Sequence, residues 1–334
     1  MAPAAFHLDS AQLRSFRRAL LRWYDVHRRE LPWRSDRDPY RVWVSEIMLQ
    51  QTRVAVVLEH YARFLRRFPT AQSLATAREA SVLALWSGLG YYHRARHMHQ
   101  AAKVIARERC GGFPRTASEW SELPGIGRYT AAAIASIAFG EAVAVVDGNV
   151  ERVLQRLLGA NYTGAELWHA AEVLLARQRP GDFNQAMMEL GATICTPRAP
   201  QCLVCPVVSL CKTRGAGERS AAPARRRQDV NYALVRHGSR VLLVQRSGDS
   251  SLMAGMWELP ALTAEQVNGS APLLRLKLSI TNTDYRVRIF EIGPEQFGWF
   301  CSAKWFSMPQ CLRLPLTGLV RKVLARISTS KAGR

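Results

Sequence analysis

The chain has 334 residues, of which 48% are hydrophobic and 22% charged, an ordinary globular composition that excludes a largely disordered chain. Its formal net charge of +20 favours a polyanionic partner such as nucleic acid, although a genomic bias toward arginine would give the same excess. No apolar run reaches the roughly 20 residues of a membrane span, and the first residues lack a signal-peptide pattern, so we expect a cytoplasmic protein.

Two helices are predicted near the start of the chain. Residues 10–29 carry apolar side chains at helical spacing, and Asp38 with Pro39 is typical of a second helix start, followed by Glu46 within an apolar run. Apolar neighbours one turn away would desolvate the Glu46 carboxyl and raise its pKa, which suits a general acid. The competing interpretation is an ordinary glutamate on the solvated face of a surface helix.

Residues 88–92 read Gly-Leu-Gly-Tyr-Tyr and follow a short predicted helix. Leu89 and Tyr91 at such a tip, with Arg94 behind them, suit a wedge that enters a base stack. A glycine-capped helix end with buried aromatic residues explains the same pattern.

Gly125 and Gly127 flank Ile126 between two helical segments, and both are expected to supply the unusual torsions of a tight interhelical turn. The amides of such a turn face outward, beside the N-terminus of a helix that begins near Arg128. Together these features predict a phosphate site that contacts the nucleic-acid backbone and not the bases.

Asp147 precedes a helix predicted at residues 148–158 and occupies its N-cap position. Helix capping alone accounts for an aspartate here. A carboxylate at a helix N-terminus is also kept ionised by the helix dipole, as a group that stabilises a cation should be.

Four cysteines are separated by six, two and five residues: Cys195, Cys202, Cys205 and Cys211. Thiolates at this density predict a metal site, and the spacing alone leaves tetrahedral zinc and an iron–sulfur cluster open. The remaining three cysteines have no such spacing and are predicted to be packing residues, namely Cys110, Cys301 and Cys311.

Residues 213–229 are rich in glycine, alanine and arginine and predict a flexible basic linker. Beyond this segment the pattern changes from helical to extended, with five strand-like segments and a closing helix at residues 316–327. The change predicts a second, mixed α/β domain at residues 230–327.

These motifs together closely resemble the adenine DNA glycosylases of the MutY type, within the helix-hairpin-helix superfamily that also contains the endonuclease III-like enzymes. The matching segments, in the family's order, are residues 44–52, 88–92, 123–130, 146–149 and 183–191, followed by the four cysteines. The resemblance implies a multidomain protein with an all-α helix-hairpin-helix region at residues 1–212 and a smaller α+β, Nudix-like C-terminal domain. Within the helical region it implies a six-helix barrel at about residues 31–141 and an iron–sulfur subdomain formed by about 1–30 and 142–212.

The same resemblance implies a base-excision-repair activity, in which a monomer with one 4Fe–4S cluster on the four cysteines hydrolyses the N-glycosidic bond of adenine. The adenine would be flipped out of double-stranded DNA, where it is mispaired with 8-oxoguanine or guanine. Glu46 would be the general acid and Asp147 would stabilise the oxocarbenium-like sugar, with both carboxyls held by Tyr129 and Asn149. The implied DNA contacts are Gln51, Thr52, Leu89, Tyr91, Gly125, Gly127, Arg128 and Thr281.

Three departures from relatives refine this interpretation. Relatives that also cut the backbone carry a lysine at the position of Tyr129, because a Schiff base needs an amine, so a phenol implies a monofunctional glycosylase. The C-terminal region lacks the glutamate-rich Nudix signature, which implies that it does not hydrolyse nucleotides. Thr281 lies in an Ile-Thr-Asn segment where family members commonly carry Phe-Ser-His, and it would preserve the hydroxyl contact.

Two other functions fit parts of the same pattern. One is an endonuclease III-like glycosylase for pyrimidine lesions, against which Tyr129 and the second domain argue. The other is a noncatalytic, metal-stabilised DNA-binding protein, for which Glu46 and Asp147 would be dispensable.

Overall fold

The structure is a computed structural model that describes residues 8–108, 111–159, 162–215, 224–250, 252–296 and 303–329. It separates into two units, one formed by residues 1–75 with 100–220 and the other by residues 76–99 with 221–334. Within the described ranges, no helix is both long enough and apolar enough to cross a membrane.

Helices occupy most of the chain up to the cysteine segment. They are α1 (Ser10–His27), α2 (Pro39–Leu49), α3 (Val54–Arg67), α4 (Ala71–Ala75), α5 (Glu79–Trp86), α6 (His93–Glu108), α7 (Ala117–Ser121), α8 (Arg128–Phe139), α9 (Gly148–Leu158), α10 (Gly164–Leu174) and α11 (Pro180–Thr193). Helix α5 belongs to the second unit, and α6 continues from the second unit into the first. The cysteine segment contains two short 3-10 turns, Cys202–Val204 and Val208–Leu210.

Polar caps set several of these helix ends where the sequence predicts them. The Asp38 side chain accepts the Arg41 amide at the start of α2, and Asp147 is the N-cap of α9, which confirms the helix predicted at residues 148–158. Gly140 ends α8 in the left-handed region, with φ of 74°. Helix α1 ends at His27, two residues before the predicted end.

The first unit has a hydrophobic core between α1, α9, α10 and α11. Its least exposed members include Phe16, Leu20, Leu154, Leu174 and Phe183, each at 2% exposure or less. Burial of one such side chain contributes about 1.5–3 kcal/mol. This core fixes the position at which α9 begins, and therefore the position of Asp147.

Close backbone approach joins α8 to α11. A Cβ atom at Gly181 would lie 2.5 Å from the Ser136 carbonyl oxygen and 2.8 Å from the Ile137 Cα, so only glycine fits this contact. One turn later, Asn184 Nδ2 donates to Ser136 Oγ and to the Val143 carbonyl, at 2.9 Å each. The alanine-rich sequence of α8 permits this approach because its side chains are small.

The second unit contains a sheet that confirms a strand-rich C-terminal region. Its strands are β1 (Arg226–His237), β2 (Arg240–Gln245), β3 (Trp257–Glu258), β4 (Ala261–Leu262), β5 (Leu274–Ile280), β6 (Thr283–Ile292) and β7 (Ala303–Ser307), followed by helices α12 (Met308–Cys311) and α13 (Gly318–Thr329). The strand order is β3-β2-β1-β6-β5, with β4 paired to β1 and β7 to β2. Strands β1 and β6 are parallel, and the other pairs are antiparallel. The two-residue strands β3 and β4 were too short for the sequence pattern to indicate.

Strand β1 begins inside the segment that the sequence predicts to be linker. It starts at Arg226, because pairing with β6 begins there with the register Arg226↔Thr283. Residues 216–223 of the predicted linker, and the predicted packing residues Cys110 and Cys301, lie outside the described residues. Cys311 is buried at 1% exposure, as predicted.

Residues 76–99 group with the C-terminal sheet unit and not with the neighbouring helices in sequence. Ser87 Oγ donates to the Leu316 carbonyl at 2.5 Å, and Arg96 Nη2 donates to the Ala254 carbonyl at 2.5 Å. The acceptors are backbone atoms more than 150 residues away, so the sequence pattern carries no sign of this grouping.

We predict that Gly181→Ala lowers the free energy of unfolding by about 1–3 kcal/mol, because the new methyl group meets backbone atoms that cannot move independently. Gly164→Ala is the matched control, since Gly164 also lies in the first turn of a helix but a Cβ there would meet nothing within 4 Å. Its effect should stay within about 0.5 kcal/mol. Denaturant titrations, monitored by the circular dichroism of the helices, measure the free energy of unfolding of both variants. Equal losses in the two variants would contradict the tight α8–α11 contact.

Candidate active site

One cavity of the first unit collects all four residues that the sequence predicts to be catalytic, together with two of the predicted DNA contacts. Its volume is about 320 Å³, within the range of small-molecule pockets. Six predicted residues line it: Glu46, Gln51, Thr52, Tyr129, Asp147 and Asn149. The two candidate catalytic carboxyls, 101 residues apart in sequence, therefore face the same space.

Glu46 is a buried carboxyl on the inner side of α2, with 6% of the residue exposed. Tyr129 Oη, from the first turn of α8, donates a hydrogen bond to Glu46 Oε2 at 2.8 Å. Burial, with a smaller contribution from the Asp147 charge, outweighs the opposing effects of the Tyr129 hydrogen bond and Arg34 and raises the pKa of Glu46 to about 7. The carboxyl is thus partly protonated near neutral pH, as a general acid requires.

The Tyr129 phenol remains neutral in this position. Burial raises its pKa well above the usual value, and the nearby Glu46 and Asp147 charges act in the same direction. A neutral phenol can only donate to a carboxylate, so Tyr129 fixes the orientation of Glu46.

Asp147 combines helix capping with a place in the cavity wall. Its Oδ1 accepts the amides of Asn149 and Val150 at 2.9 and 2.7 Å, and its Oδ2 accepts Asn149 Nδ2 at 3.0 Å. These bonds and the N-terminus of α9 favour negative charge at this position. The capping interpretation is therefore correct, and it does not remove the side chain from the cavity.

Arg152 is a residue of this site that sequence reasoning missed. Its Nη2 donates to Asn149 Oδ1 at 2.8 Å and to the Gly191 carbonyl at 2.7 Å, and its Nε donates to the Cys195 carbonyl at 2.8 Å. Because Asn149 Oδ1 accepts from a guanidinium, the amide nitrogen of Asn149 must face Asp147. The spacing of three residues between Asn149 and Arg152 on one helix was the signal that could have revealed this pair.

An ion triad around the buried Glu189 forms another part of the cavity wall and was also missed. Glu189, whose side chain is 1% exposed, accepts Arg29 Nε at 2.6 Å and Arg34 Nη2 at 2.9 Å. Burial raises the pKa of Glu189, but the hydrogen bonds and charges of the two arginines outweigh it and hold the pKa at about 2. The cavity therefore contains two buried glutamates in opposite protonation states, and the signal for the second was its place in the 183–191 motif.

The hairpin glycines differ from each other. Gly125 adopts the left-handed region, with φ of 74°, whereas Gly127 is the N-cap of α8 with φ of −87° and does not use the left-handed freedom of glycine. It serves instead as an extended N-cap, and a Cβ there would meet nothing within 4 Å. Gly127 is exposed. Arg128 lies over the Trp168 ring, with its Cζ 3.8 Å from the ring centroid.

The other predicted DNA contacts lie in strained turns. Gln51 and Tyr91 have positive φ angles of 53° and 47°, which non-glycine residues rarely adopt. Leu89 is only 5% exposed, so it is not the exposed wedge tip that the sequence predicts. Arg94 Nη2 donates to the carbonyls of Leu89 and Gly90, which holds this loop folded back on α6. Thr281 is exposed at the β5–β6 turn, with φ of 49°.

The four predicted cysteine ligands share a second, small cavity. Arg156 Nη1 donates to Cys195 Sγ at 3.3 Å, and a Cβ at Gly215 would lie 2.9 Å from Cys202 Sγ, so the segment closes tightly around the sulfurs. Burial raises the pKa of the Cys205 thiol, with smaller contributions from the other three cysteines. Across the described ranges, no group of three His, Cys, Asp or Glu side chains is arranged to hold one metal ion. The donor set itself is thiol-only, which suits zinc or an iron–sulfur cluster.

Comparisons with known proteins find similar sequences and structures among DNA repair proteins. The HhH-GPD superfamily base excision DNA repair protein family matches residues 44–174, which include Glu46, Tyr129 and Asp147. The adenine DNA glycosylase of Rattus norvegicus is 44% identical, with 78% of this chain and 63% of that protein covered. The adenine DNA glycosylase of Homo sapiens is 40% identical, with 82% of this chain and 63% of that protein covered.

A solved structure described as a thermostable thymine-DNA glycosylase is 31% identical, with a TM-score of 0.57 and coverage of 61% of this chain and 97% of that one. The chain spans slightly less than two thirds of the length of the two curated relatives. From the fold, the shared cavity and these matches together, the chain belongs to the HhH-GPD superfamily of base excision DNA repair proteins and is similar to the adenine DNA glycosylases.

Proposed function

We propose that this protein is a DNA glycosylase that hydrolyses the N-glycosidic bond of adenine mispaired with 8-oxoguanine or guanine in double-stranded DNA. The observation that carries the proposal is the single cavity in which a partly protonated Glu46 and the capped carboxylate of Asp147 meet. The adenine DNA glycosylases among the relatives support the choice of base.

Catalysis would use the two carboxyls in different protonation states. With adenine flipped into the cavity, Glu46 donates its proton to N7, so that the base leaves neutral as the C1′–N9 bond breaks. Asp147 stabilises the positive charge that develops on the sugar, and the Glu46 carboxylate then accepts a proton from the attacking water. Tyr129 and Asn149 act by orienting these carboxyls through the hydrogen bonds described above.

The ion triad would determine which hydrogen-bonding group of the base can face Glu189. The Glu189 carboxylate, held ionised by Arg29 and Arg34, can accept hydrogen bonds but cannot donate one. It therefore suits a base that presents an amine, such as the N6 amine of adenine, and disfavours a carbonyl at the same position.

DNA contacts would come from several elements. The exposed turn at Gly125 and Gly127, next to the start of α8 at Arg128, suits a phosphate group. Gln51 and Thr52 at the cavity, with Leu89, Tyr91 and Thr281, are the proposed contacts to the opposite base and its neighbours. The loop that carries Leu89 would have to open for that side chain to enter a base stack.

The four cysteines would hold one 4Fe–4S cluster, and the tight closure of the segment around their sulfurs fits such a group. When bound, the cluster would supply a rigid anchor for the cysteine segment. Arg152 joins the Cys195 carbonyl to Asn149, so the order of that segment bears on the orientation of the Asp147 partner. The C-terminal sheet unit is proposed to be a Nudix-like lesion-recognition domain that does not hydrolyse nucleotides.

A pyrimidine-lesion glycosylase is the second candidate, because a thermostable thymine-DNA glycosylase is among the similar structures. Comparison of substrates containing adenine opposite 8-oxoguanine with substrates containing thymine opposite guanine separates the two activities. We expect release of adenine only.

Replacing the proposed acid should slow base release without preventing DNA binding. We expect Glu46→Gln to lower the single-turnover rate of adenine release by about 10²–10⁴-fold, because the leaving base can no longer be protonated by this side chain. Glu59→Gln, at an exposed position of α3, is the control and should leave the rate unchanged. A Glu46→Gln protein with the wild-type rate would remove Glu46 from the mechanism.

The rate should also report the raised pKa of Glu46. Since the acid must be protonated, single-turnover release should fall by about tenfold per pH unit above pH 7. Tyr129→Phe removes a hydrogen bond that lowers this pKa, so the decline should move to higher pH even as the rate decreases. Tyr162→Phe, outside the cavity, is the control. If the rate of Tyr129→Phe falls at the same pH as the wild-type rate, a group other than Glu46 is titrating.

Borohydride should trap no covalent protein–DNA adduct, because Tyr129 offers a phenol and Schiff-base formation needs an amine. The Tyr129→Lys variant is the positive comparison, since it places an amine at the same position. Efficient trapping by the wild-type protein, visible as a shifted band in a denaturing gel, would contradict a monofunctional mechanism.

A further inference from the structure

Strands β1, β5 and β6 carry a group of positive charges on one face of the sheet, here called the cationic face and defined as Arg227, Arg275, Lys277, Arg286 and Arg288. We propose that the cationic face binds the phosphate backbone of duplex DNA beside the β5–β6 turn. The inference rests on the proposed function for the choice of partner and extends it to a surface outside the cavity.

Strand register places these side chains together. In the β5–β6 pair, Arg275 lies opposite Arg288 and Lys277 lies opposite Arg286. Because side chains alternate along a strand, these four share one face, and the parallel β1–β6 pairing adds Arg227 to it. All except the half-buried Arg288 are exposed.

The opposite face of the same strands is apolar and covered. Leu276, Val287 and Ile289 pack there against Val320 and Val323 of α13. This alternation fixes the direction of the charges, since a change of register by one residue would bury them.

Both β5–β6 pairs place like charges directly across from each other, which destabilises a sheet. Two other arginines have acidic partners: Arg236 of β1 pairs with Glu291, and Arg225, just before β1, pairs with Asp284. For Arg227, Arg275, Lys277 and Arg286, the described part of the chain provides no ion pair. The same face carries two carboxylates, Asp284 opposite Arg227 and Asp229 opposite Arg286 in the β1–β6 register, so its five cations exceed its carboxylates by three. A bound polyanion would relieve this repulsion.

The position of the cationic face favours DNA as the occupant. Toward its other end the same face is covered, because Leu262 and Val267 pack on Ala233 and Phe290. The charged end leads to the β5–β6 turn, where Thr281 is exposed and is a proposed contact to the base opposite adenine. A duplex that reaches Thr281 would therefore bring its backbone alongside the cations.

The test compares two triple variants that each remove three positive charges. The first is Arg275→Gln/Lys277→Gln/Arg286→Gln. The control is Arg313→Gln/Lys322→Gln/Arg326→Gln, whose residues are exposed and lie on or just before α13, away from the cationic face. The affinity for a duplex that contains a nonhydrolysable adenine analogue opposite 8-oxoguanine is measured over a range of salt concentrations.

We expect the first variant to bind at least about tenfold more weakly near physiological salt, with the slope of log K against log salt reduced by about 2–3, which is about 0.9 for each lost phosphate contact. The control should bind within about twofold of wild type with an unchanged slope. Equal losses in both variants would indicate a general charge effect and overturn the proposal. A wild-type slope in the first variant would also overturn it and would assign the cationic face to another acidic partner.

Two further readouts complete the test. The melting temperature of the first variant should stay the same or rise, because like charges have been removed, and a fall would contradict the repulsion argument. Single-turnover adenine release at saturating protein should remain at the wild-type rate. If the wild-type protein releases no adenine but the first variant still loses duplex affinity, the proposed activity fails while the binding surface stands.

Discussion

The burial of the Glu46 carboxyl against the Tyr129 hydroxyl is the constraint on which the site depends. Removal from water favours the neutral acid, whereas the phenol donates to the charged form, and the balance leaves the pKa at about 7. This balance requires α2 and α8 to meet at a fixed distance. The small side chains of α8 and its close contact with α11 supply that geometry.

The Glu46 and Glu189 carboxyls have opposite charge states in one small cavity because their surroundings differ. Glu46 has a neutral donor as its hydrogen-bond partner, whereas Glu189 has two arginines and stays ionised. A buried charge without partners would be strongly unfavourable, so Arg29 and Arg34 make the position of Glu189 tolerable. The cavity therefore offers a proton donor and a fixed acceptor at once.

Local signals in the sequence were sufficient for the caps, whereas the roles proposed for Glu46 and Asp147 came from the family resemblance. Asp38, Gly140 and Asp147 act over one helical turn, and the structure places each cap where the pattern indicates. The ion triad was not predictable in the same way, because Arg29 and Glu189 are 160 residues apart and only the fold brings them together. Whether Leu89 is exposed depends likewise on tertiary contacts, and the early start of β1 depends on its parallel pairing with β6.

Asp147 performs two tasks with one side chain, and this limits how the chain can be altered. Its Oδ1 closes the first turn of α9, the helix that carries Leu154 into the core, while the whole carboxylate faces the cavity. Asparagine or serine is an equally good N-cap but carries no charge. A laboratory selection for heat resistance alone would accept either residue here and, under the proposed mechanism, return well-folded protein without activity.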